Sequence, residues 1–377
     1  MELTGNGEHM RKLLFNLHLY TALVAGTFIL ILGVTGSIMA FEPEIDRLCH
    51  WKLTYVTPQP HALSLEEITA AVANQLPGNP IVDYAISTSP DISYQLTLKN
   101  HEIAYVNQYS GAVLGARNGP DFVEVLLTDI HQLHLRMLWK PKGSNADPGK
   151  VIMSGAGVAA FFLLLSGLYL WWPLKRIKIQ LGGGTPTSAR RFWFDLHNVV
   201  GIFSIPFLLL LTFTGVMIGF DDKTVPLFYQ VTGSEPARLP RVKVARPPGA
   251  KSIAPDQAIT IAKAALPGAV PFDVNVPPPT GVYQMRARFP EDLTPGGRSV
   301  VIVDQYSGKI LYVQGSRTAP AGRRIETTNR AIHTGDIFGI PSKIVMSLAS
   351  AMASLQLITG VVMWWKKRKQ FRAERSV

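Results

Sequence analysis

Two sets of histidines carry the chemistry that this 377-residue sequence suggests. His18 and His197 each follow a leucine near the start of a long apolar segment. An ionisable side chain inside a membrane span is costly and usually functional, and two imidazoles at one depth suit the two axial positions of a haem iron. Zinc would require three or four ligands, and only Asp195 lies beside these histidines. Two alternatives stay open: hydrogen bonds that join neighbouring helices, and a proton relay.

The second set lies just ahead of the other two apolar segments. His333 precedes the last segment, and its counterpart ahead of the second segment is His131 or His134. These two candidates are three residues apart and therefore share one face of a helix. A pair completed by His333 could hold a second haem at the far surface of the membrane. Ordinary surface histidines are the alternative.

Several arginines lie near these histidines and extend the haem hypothesis. A guanidinium group matches the two oxygens of a carboxylate, so these side chains could pair with haem propionates. Solvated or topological roles are equally open for each of them. The candidates are Arg11, Arg136, Arg190, Arg191 and Arg330.

The source of electrons is not encoded in a recognisable motif. The sequence has no GxGxxG, Walker, GxSxG or HExxH pattern. Its one cysteine, Cys49, excludes a disulfide within the chain and a CxxCH haem attachment. Two axial imidazoles leave no open iron position, which favours electron transfer over oxygen chemistry. Any electron would therefore come from a partner, either a membrane quinol or a cytoplasmic reductase.

Composition and hydropathy predict the elements that position these residues. With 47% apolar and 17% charged residues, the chain is divided between bilayer and water and is not disordered. Its first apolar segment has 29 residues, about 43 Å of helix, which exceeds the roughly 30 Å hydrocarbon core. The sequence predicts four membrane spans: 13–41, 151–172, 194–220 and 344–365.

The distribution of basic residues predicts the orientation of these spans. Lysine and arginine concentrate in 1–12, 173–193 and 366–377, which the positive-inside rule places in the cytoplasm together with both termini. The long segments 42–150 and 221–343 then lie outside. This topology accounts for the net charge of +11, so the sequence predicts a lipid bilayer and no nucleic acid as partner.

The chain is predicted to be internally duplicated. At a constant offset of 179 residues, Phe15, Leu17, His18, Thr35 and Gly36 match Phe194, Leu196, His197, Thr214 and Gly215. Outside the membrane, residues 64–78 match 254–268, and the hairpin 107–111 matches 304–308. Each copy reads as span, helix with alternating strands, and span. Both copies run in the same direction, which predicts parallel repeats about an axis along the membrane normal.

These motifs resemble the PepSY-associated transmembrane helix family. The resemblance rests on the paired Leu-His, the second histidine ahead of each even-numbered span, the [ND]QYSG hairpins, and SGLYLWW and TGVVMWW at 166–172 and 359–365. It extends from about residue 11 to about residue 370. It implies an all-α core of four membrane helices with b-type haems, in the bacterial inner membrane, and two periplasmic PepSY-like α+β domains. In the family pattern a leucine-rich turn follows Leu-His, which favours His134 over His131.

The resemblance also implies a function. The family includes ferric-siderophore reductases of the FoxB type, so we expect two b haems that pass electrons across the membrane to a periplasmic ferric siderophore. Oxygen chelators of this kind prefer hard Fe(III), so one-electron reduction would release the metal. The alternatives are a haem-free membrane protein that binds or regulates a periplasmic partner, and a transporter built on the parallel repeat.

Overall fold

The computed structural model describes residues 2–139, 147–172, 177–178, 186–236, 239–275 and 280–375. Side chains are described from residue 8 to residue 369 within these ranges, apart from 186–189. Of the predicted cytoplasmic segments, residues 1, 173–176, 179–185 and 376–377 lie outside the described residues.

The described chain is built from eleven α-helices and eight β-strands. The helices are α1 (Glu2–Met39), α2 (Glu42–Cys49), α3 (Trp51–Thr54), α4 (Leu65–Gln75), α5 (Phe122–Arg136), α6 (Pro148–Trp171), α7 (Pro186–Gly219), α8 (Asp221–Thr232), α9 (Pro255–Ala265), α10 (Ala321–Thr334) and α11 (Ile340–Arg375). The strands are β1 (Ile81–Ala85), β2 (Tyr94–Leu98), β3 (Ile103–Val106), β4 (Val113–Arg117), β5 (Val270–Asn275), β6 (Val282–Arg288), β7 (Ser299–Asp304) and β8 (Ile310–Gln314).

Four helices of the described chain are long and apolar enough to cross a bilayer, which requires about 20 residues. They overlap the four predicted spans and extend past most of their ends, because residues such as Arg11 and Arg191 are good helix formers that continue the helix beyond the apolar stretch. The candidate spans are Glu8–Met39 in α1, Pro148–Trp171 in α6, Arg190–Gly219 in α7 and Ile340–Lys369 in α11.

The chain divides into two compact units. The helical unit comprises Met1–Glu42, Leu126–Leu227 and Thr328–Val377, and the sheet unit comprises Pro43–Val125 and Phe228–Thr327. These bounds differ from the predicted outside segments 42–150 and 221–343, since the last parts of α5 and α10 belong to the helical unit. The histidines of the second set, His131, His134 and His333, all lie in those last parts.

The helical unit is a bundle in which α1 and α7 each pack against both α6 and α11. Small residues let the backbones approach closely, as is common between membrane helices. A Cβ atom at Gly33 would lie 2.9 Å from the carbonyl oxygen of Ser350. Ser37 and Ser347 hydrogen-bond each other's carbonyl oxygens, at 3.1 and 2.8 Å. Polar groups therefore join α1 to α11 without burying charge.

The sheet unit contains one antiparallel sheet in the order β4-β3-β2-β1-β5-β6-β7-β8. Its central pair joins the two segments that the sequence separates into two domains, with Tyr84 opposite Val274 and Asp83 opposite Asn275. Strand pairing of this kind removes the exposed edges that β1 and β5 would otherwise present. One continuous sheet thus contains the strands of both segments.

Helices α4 and α9 cover one face of this sheet. Ile68 and Val72 of α4 and Ala262 of α9 are buried in one core with Leu96 and Met285 of the strands. Their apolar residues recur at a spacing of three to four, which gives each helix one face toward the sheet. Strands of both segments therefore share a single hydrophobic core.

The two predicted hairpins form as expected. Gly111 and Gly308 adopt φ values of +70° and +73°, which an L side chain rarely allows. The Asn107 side chain accepts a hydrogen bond from the backbone N–H of Tyr109, and Asp304 accepts one from Tyr306. Each turn is thus closed by an Asx interaction followed by a glycine.

Candidate functional site

The four paired histidines all lie in the helical unit, on four different helices. His18 is on α1 and His197 on α7, both within membrane spans. His134 is near the end of α5 and His333 near the end of α10. All four side chains are partly buried.

Each histidine within a span contacts a hydroxyl group on a neighbouring helix. His18 Nδ1 lies 2.9 Å from Ser166 Oγ on α6. His197 Nδ1 lies 2.8 Å from Thr359 Oγ1 on α11. Both hydroxyl groups also contact a carbonyl oxygen of their own helix, at 2.8 Å for Ser166 and 2.9 Å for Thr359.

The second set repeats this contact with the roles of the helices exchanged. His134 Nδ1 lies 2.8 Å from Thr35 Oγ1 on α1, and His333 Nδ1 lies 3.1 Å from Thr214 Oγ1 on α7. Thr35 and Thr214 in turn contact the carbonyl oxygens of Ile31 and Leu210, at 2.6 and 2.7 Å. Helices α1 and α7 therefore each supply a histidine at one end and a hydroxyl group at the other.

These contacts determine which ring nitrogen carries the proton. A hydroxyl group has one proton to donate, and in all four cases a carbonyl oxygen without a proton lies within reach. The hydroxyl donates there, so it accepts from an Nδ1–H group. His333 Nδ1 also lies 3.1 Å from the carbonyl oxygen of Leu211, which only an N–H can satisfy. The Nε2 atoms are left with a free lone pair, the form that binds a metal.

No Nε2 atom of the four histidines has a hydrogen-bond partner among the described residues. All their ring hydrogen bonds involve Nδ1. Burial lowers the pKa of His134 and of His333, and the neighbouring ring of His333 adds to the effect on His134. Both imidazoles are therefore neutral at neutral pH, as axial coordination requires.

A glycine follows each hydroxyl residue and makes room for the ring. Cβ atoms at Gly167 and Gly360 would lie 3.4 Å from His18 Cε1 and 3.6 Å from His197 Cε1. At Gly36 the distance to His134 Cε1 would be 3.3 Å, and at Gly215 the distance to His333 Cε1 would be 2.8 Å. A side chain at Gly215 would displace His333, because contacts below 3.0 Å are not tolerated.

The distance within the second pair fits coordination of one metal ion between two rings. The ring centres of His134 and His333 are 6.4 Å apart, with 55° between the ring planes. A metal–imidazole bond of about 2 Å, with about 1 Å from nitrogen to ring centre, places two axial rings about 6 Å apart. His18 and His197 are also close enough to interact electrostatically. The residues present fit bis-histidine haem coordination.

His131 contacts Glu42 and not His333, with which the sequence had left it as a possible pair. Its Nδ1 lies 3.0 Å from Glu42 Oε2, and 41% of its side chain is exposed. His134, and not His131, faces the ring of His333. The geometry therefore agrees with His134, the alternative that the family resemblance favours, as the partner of His333.

The candidate propionate arginines fall into two groups. Arg11 donates to the carbonyl oxygen of Leu170 at 3.1 Å, and Arg191 Nε lies 3.2 Å from both carboxylate oxygens of the buried Asp195. Both already have an acceptor of their own.

Arg136 and Arg330, near the second pair, retain unused donors. Arg136 pairs with Asp147 at 3.3 Å, but its Nε is buried without a partner among the described residues. The exposed Arg330 acts electrostatically on His333 and has no hydrogen-bond or ion-pair partner for its guanidinium group in the described chain. These two arginines suit an anionic group beside His134 and His333.

Comparison with known proteins places this arrangement in a family. The family model described as the PepSY-associated TM region matches residues 15–367. The chain belongs to this family. The resemblance noted in the sequence is thereby confirmed at the level of the family.

One curated relative is similar over a short stretch. An uncharacterized protein of Pseudomonas aeruginosa is 38% identical over 76 residues, which cover 19% of this chain and 18% of that protein. The chain thus matches less than a fifth of the length of this relative. That similarity concerns part of the sequence and carries no activity with it.

Sequence reasoning did not assign a function to the four hydroxyl groups. Thr35 and Thr214 appear in the duplicated segments, and Ser166 and Thr359 begin the two motifs that end in Trp-Trp. The sequence did contain a signal for these groups. Each of the four residues begins a Ser-Gly or Thr-Gly dipeptide, and each span carries one of these four. The partner of each dipeptide is 99 to 162 residues away in the chain, so only the fold could identify it.

Proposed function

We propose that this protein is a di-haem b reductase of the bacterial inner membrane, which passes single electrons to a periplasmic ferric siderophore and releases Fe(II). One observation carries the proposal above all others. His134 and His333 face each other at 6.4 Å, and each has its Nδ1–H engaged by a threonine. The two rings are thus adjacent, and their Nε2 atoms have no hydrogen-bond partner in the described chain.

The separation of the two histidine pairs supports electron transfer across a bilayer. Thr35, the partner of His134, lies 17 residues after His18 on α1, and Thr214 lies 17 residues after His197 on α7. At 1.5 Å per residue this is about 25 Å of helix, close to the thickness of the hydrocarbon core. One pair lies near each end of the same two helices.

The residues of the chain would hold and tune the cofactor. When bound, b-type haem supplies one-electron redox chemistry. His18 with His197, and His134 with His333, would be the residues that hold the two haems. The four hydroxyl groups keep the proton on Nδ1 and fix the orientation of each ring. Arg136 and Arg330 offer unused donors to propionates at the second pair.

The substrate step is a one-electron reduction. An electron from an external donor, a quinol or a cytoplasmic reductase, converts chelated Fe(III) to Fe(II), and no bond to the protein forms. Oxygen chelators hold the softer Fe(II) less tightly, so the metal is released. The proposed direction, from cytoplasm to periplasm, follows the distribution of lysine and arginine in the sequence.

We also propose that the two halves are parallel repeats of one ancestral unit. Ser166 and Thr359 make equivalent contacts with His18 and His197, and Thr35 and Thr214 do so with His134 and His333. The strand order outward from the central pair, β1-β2-β3-β4 and β5-β6-β7-β8, is the same on both sides. Each haem would then lie on the pseudo-two-fold axis, touched by matching residues of both halves.

A spectroscopic experiment tests the function. The protein is purified in detergent from haem-replete cells, and its absorbance is recorded before and after dithionite, with a pyridine haemochromogen count of haem per chain. We expect two b haems with a low-spin reduced α-band, and oxidation of the reduced protein by a ferric hydroxamate. His18→Ala and His134→Ala should each remove about one haem.

His131→Ala is the matched control, since His131 is three residues from His134 and pairs with Glu42. This variant should keep both haems. A colourless protein from haem-replete cells would overturn the proposal and favour a haem-free PepSY protein that binds a periplasmic partner. Loss of haem in His131→Ala but not in His134→Ala would overturn the assignment of the second pair.

A further inference from the structure

The sheet unit contains a cavity that the redox proposal does not use. Its volume is about 560 Å³, and its walls come from both strand segments near the central β1–β5 pair. Leu65 and Ile86 contribute from the first segment, and Ile259 and Pro271 from the second. The size of this pocket is typical of a small-molecule site, and its lining mixes these apolar residues with polar and charged ones.

Three hydrogen-bond donors without protein acceptors line this cavity. Lys263 and Arg288 form no hydrogen bond or ion pair with any residue that the structure describes, and neither does the hydroxyl group of Tyr94. Burial raises the pKa of Tyr94, so the phenol stays protonated and can donate. Two cations and a phenol thus converge on one space.

The matching tyrosine of the other copy does form a hydrogen bond, so a tyrosine at this position need not be without a partner. Tyr283 is the residue that the alignment of the two segments matches with Tyr94. The hydroxyl group of Tyr283 donates to the carbonyl oxygen of Ile253 at 2.7 Å. The positions that match Lys263 and Arg288 are Ala73 and Lys99. The combination of Tyr94, Lys263 and Arg288 is therefore not repeated at the matching positions of the other copy.

Asp256, the carboxylate that lines the cavity, offsets only one of the two cations. Asp256 accepts the backbone N–H of Leu65 at 3.0 Å with one oxygen and that of Glu66 at 2.8 Å with the other. Both oxygens are thus occupied at the N-terminus of α4, where a negative charge is stabilised. The remaining potential of the lining is positive, and it favours an anionic occupant.

We propose that this cavity binds an amphipathic organic anion, whose carboxylate pairs with Lys263 and Arg288 and whose apolar body packs against the isoleucine and proline walls. Tyr94 donates a third hydrogen bond to the same carboxylate. Charged hydrogen bonds of this kind are the strong ones, and the apolar walls reward a hydrocarbon body. The site is independent of the histidine pairs, so it goes beyond the proposed reductase function.

Calorimetry on the full chain tests the proposal. The protein is placed in nanodiscs of zwitterionic phosphatidylcholine, so that no anionic lipid competes, and is titrated with 4-phenylbutyrate. The neutral amide, 4-phenylbutyramide, has the same apolar body and serves as the matched ligand. We expect the carboxylate to bind at least tenfold more tightly than the amide, with empty nanodiscs as the blank.

Variants locate the site. Arg288→Gln should weaken binding of the carboxylate about tenfold, the more exposed Lys263→Gln about threefold, and Tyr94→Phe about twofold to threefold. Lys251→Gln removes an exposed lysine of the same unit that does not line the cavity, and it should bind as the unaltered protein does. None of these variants should change the haem content.

Three results would overturn the proposal. They are equal binding of carboxylate and amide, no binding of the carboxylate at 10 mM, and unchanged affinity in the Lys263→Gln/Arg288→Gln double variant. Haem content is measured on the same samples. A colourless protein that still binds the carboxylate contradicts the reductase and leaves this site standing, so the two proposals fail separately.

Discussion

The two units of this protein satisfy their polar side chains in different ways. In the helical unit, the paired histidines are held by neutral serine and threonine hydroxyl groups. In the sheet unit, ion pairs join some of the strands, such as Arg286 with Asp273 at 2.8 Å. Charge is expensive inside a bilayer and cheap at a surface in water. The paired histidines are therefore oriented by hydrogen bonds that add no charge.

The two units also differ in what they leave unsatisfied. Each paired histidine keeps one nitrogen free, so the helical unit presents acceptors, namely lone pairs suited to a metal. The cavity of the sheet unit presents donors, from Tyr94, Lys263 and Arg288. The helical unit is therefore suited to a cationic metal centre and the sheet unit to an anion. Four substitutions test this comparison, and they follow in order of expected effect.

The tightest of the four glycine–histidine contacts should be the most sensitive to an added side chain. Gly215→Ala would bring a Cβ to 2.8 Å from His333 Cε1, whereas Gly360→Ala would leave 3.6 Å to His197 Cε1. We expect Gly215→Ala to lose most of one haem per chain and Gly360→Ala to keep both. The pyridine haemochromogen count measures this. Two haems with an unchanged spectrum in Gly215→Ala would contradict the placement of His333.

Removing one hydroxyl group tests whether it fixes the histidine or merely fills space. Thr359→Val keeps the shape but loses the acceptor for His197 Nδ1, so we expect haem affinity to fall on the order of 10-fold to 100-fold. Thr359→Ser should restore it, since Ser166 serves His18 in the same way. Haem transfer to a scavenger and the midpoint potential are the measurements. Equal behaviour of the valine and serine variants would rule out the role of the hydroxyl group.

Ion pairs in the sheet unit should contribute more to local stability where their groups are more buried. Arg117 has 11% of its side chain exposed and contacts Asp121, Glu124 and the Tyr105 hydroxyl group. Arg117→Met should lower the local free energy of opening around β3 and β4 by about 2 kcal/mol, because it leaves the hydroxyl group of the buried Tyr105 without its donor and removes both of these ion pairs. Arg317→Met should cost clearly less, because Arg317 is 52% exposed and its partner Glu291 is 56% exposed. Hydrogen exchange on the full chain in nanodiscs compares the two, and equal losses would contradict this account.

The central β1–β5 pair should make the sheet unit sensitive to pH. Burial, with the neighbouring Asp273, raises the pKa of Asp83 from 3.8 to about 6. The folded chain therefore holds a proton that the unfolded chain has lost, and this contribution to stability disappears as the pH rises from about 4 through 6. Asp83→Asn should remove this dependence and stabilise the unit at pH 7 by about 1 kcal/mol, after allowance for solvent screening.

Hydrogen exchange of β1 and β5 at pH 5 and pH 7.5 checks this prediction. Glu102→Gln is the control, because Glu102 is near a hairpin of the same sheet and forms no side-chain ion pair with a described residue. It should leave the pH profile unchanged. An identical profile for Asp83→Asn and the unaltered protein would show that Asp83 titrates normally.

Local patterns in the sequence predicted much of this fold. Apolar runs of more than 20 residues indicate the four spans, and alternation followed by Gly111 or Gly308 indicates the hairpins. Neither pattern depends on distant residues, because a helix or a turn is closed by hydrogen bonds between near neighbours. The internal match at an offset of 179 residues further identified His18 and His197 as a pair.

Long-range contacts could not be predicted in this way. The sequence left His131 and His134 as alternatives, since both lie on one face of α5, and only the position of His333 distinguishes them. The pairing of β1 with β5 also escaped prediction, because two edges with suitable alternation can remain apart or join. In both cases the deciding partner is far away in the chain.

The sequence by itself thus determined a membrane chain with four spans, paired histidines and membership of the PepSY-associated TM region family. The tertiary structure decided which nitrogen of each imidazole stays free, which histidine faces His333, and where Tyr94, Lys263 and Arg288 converge. The physical reason is that hydropathy and turn geometry are properties of adjacent residues. The hydrogen-bond partners of these histidines and the cavity arise only when segments about a hundred or more residues apart pack against each other.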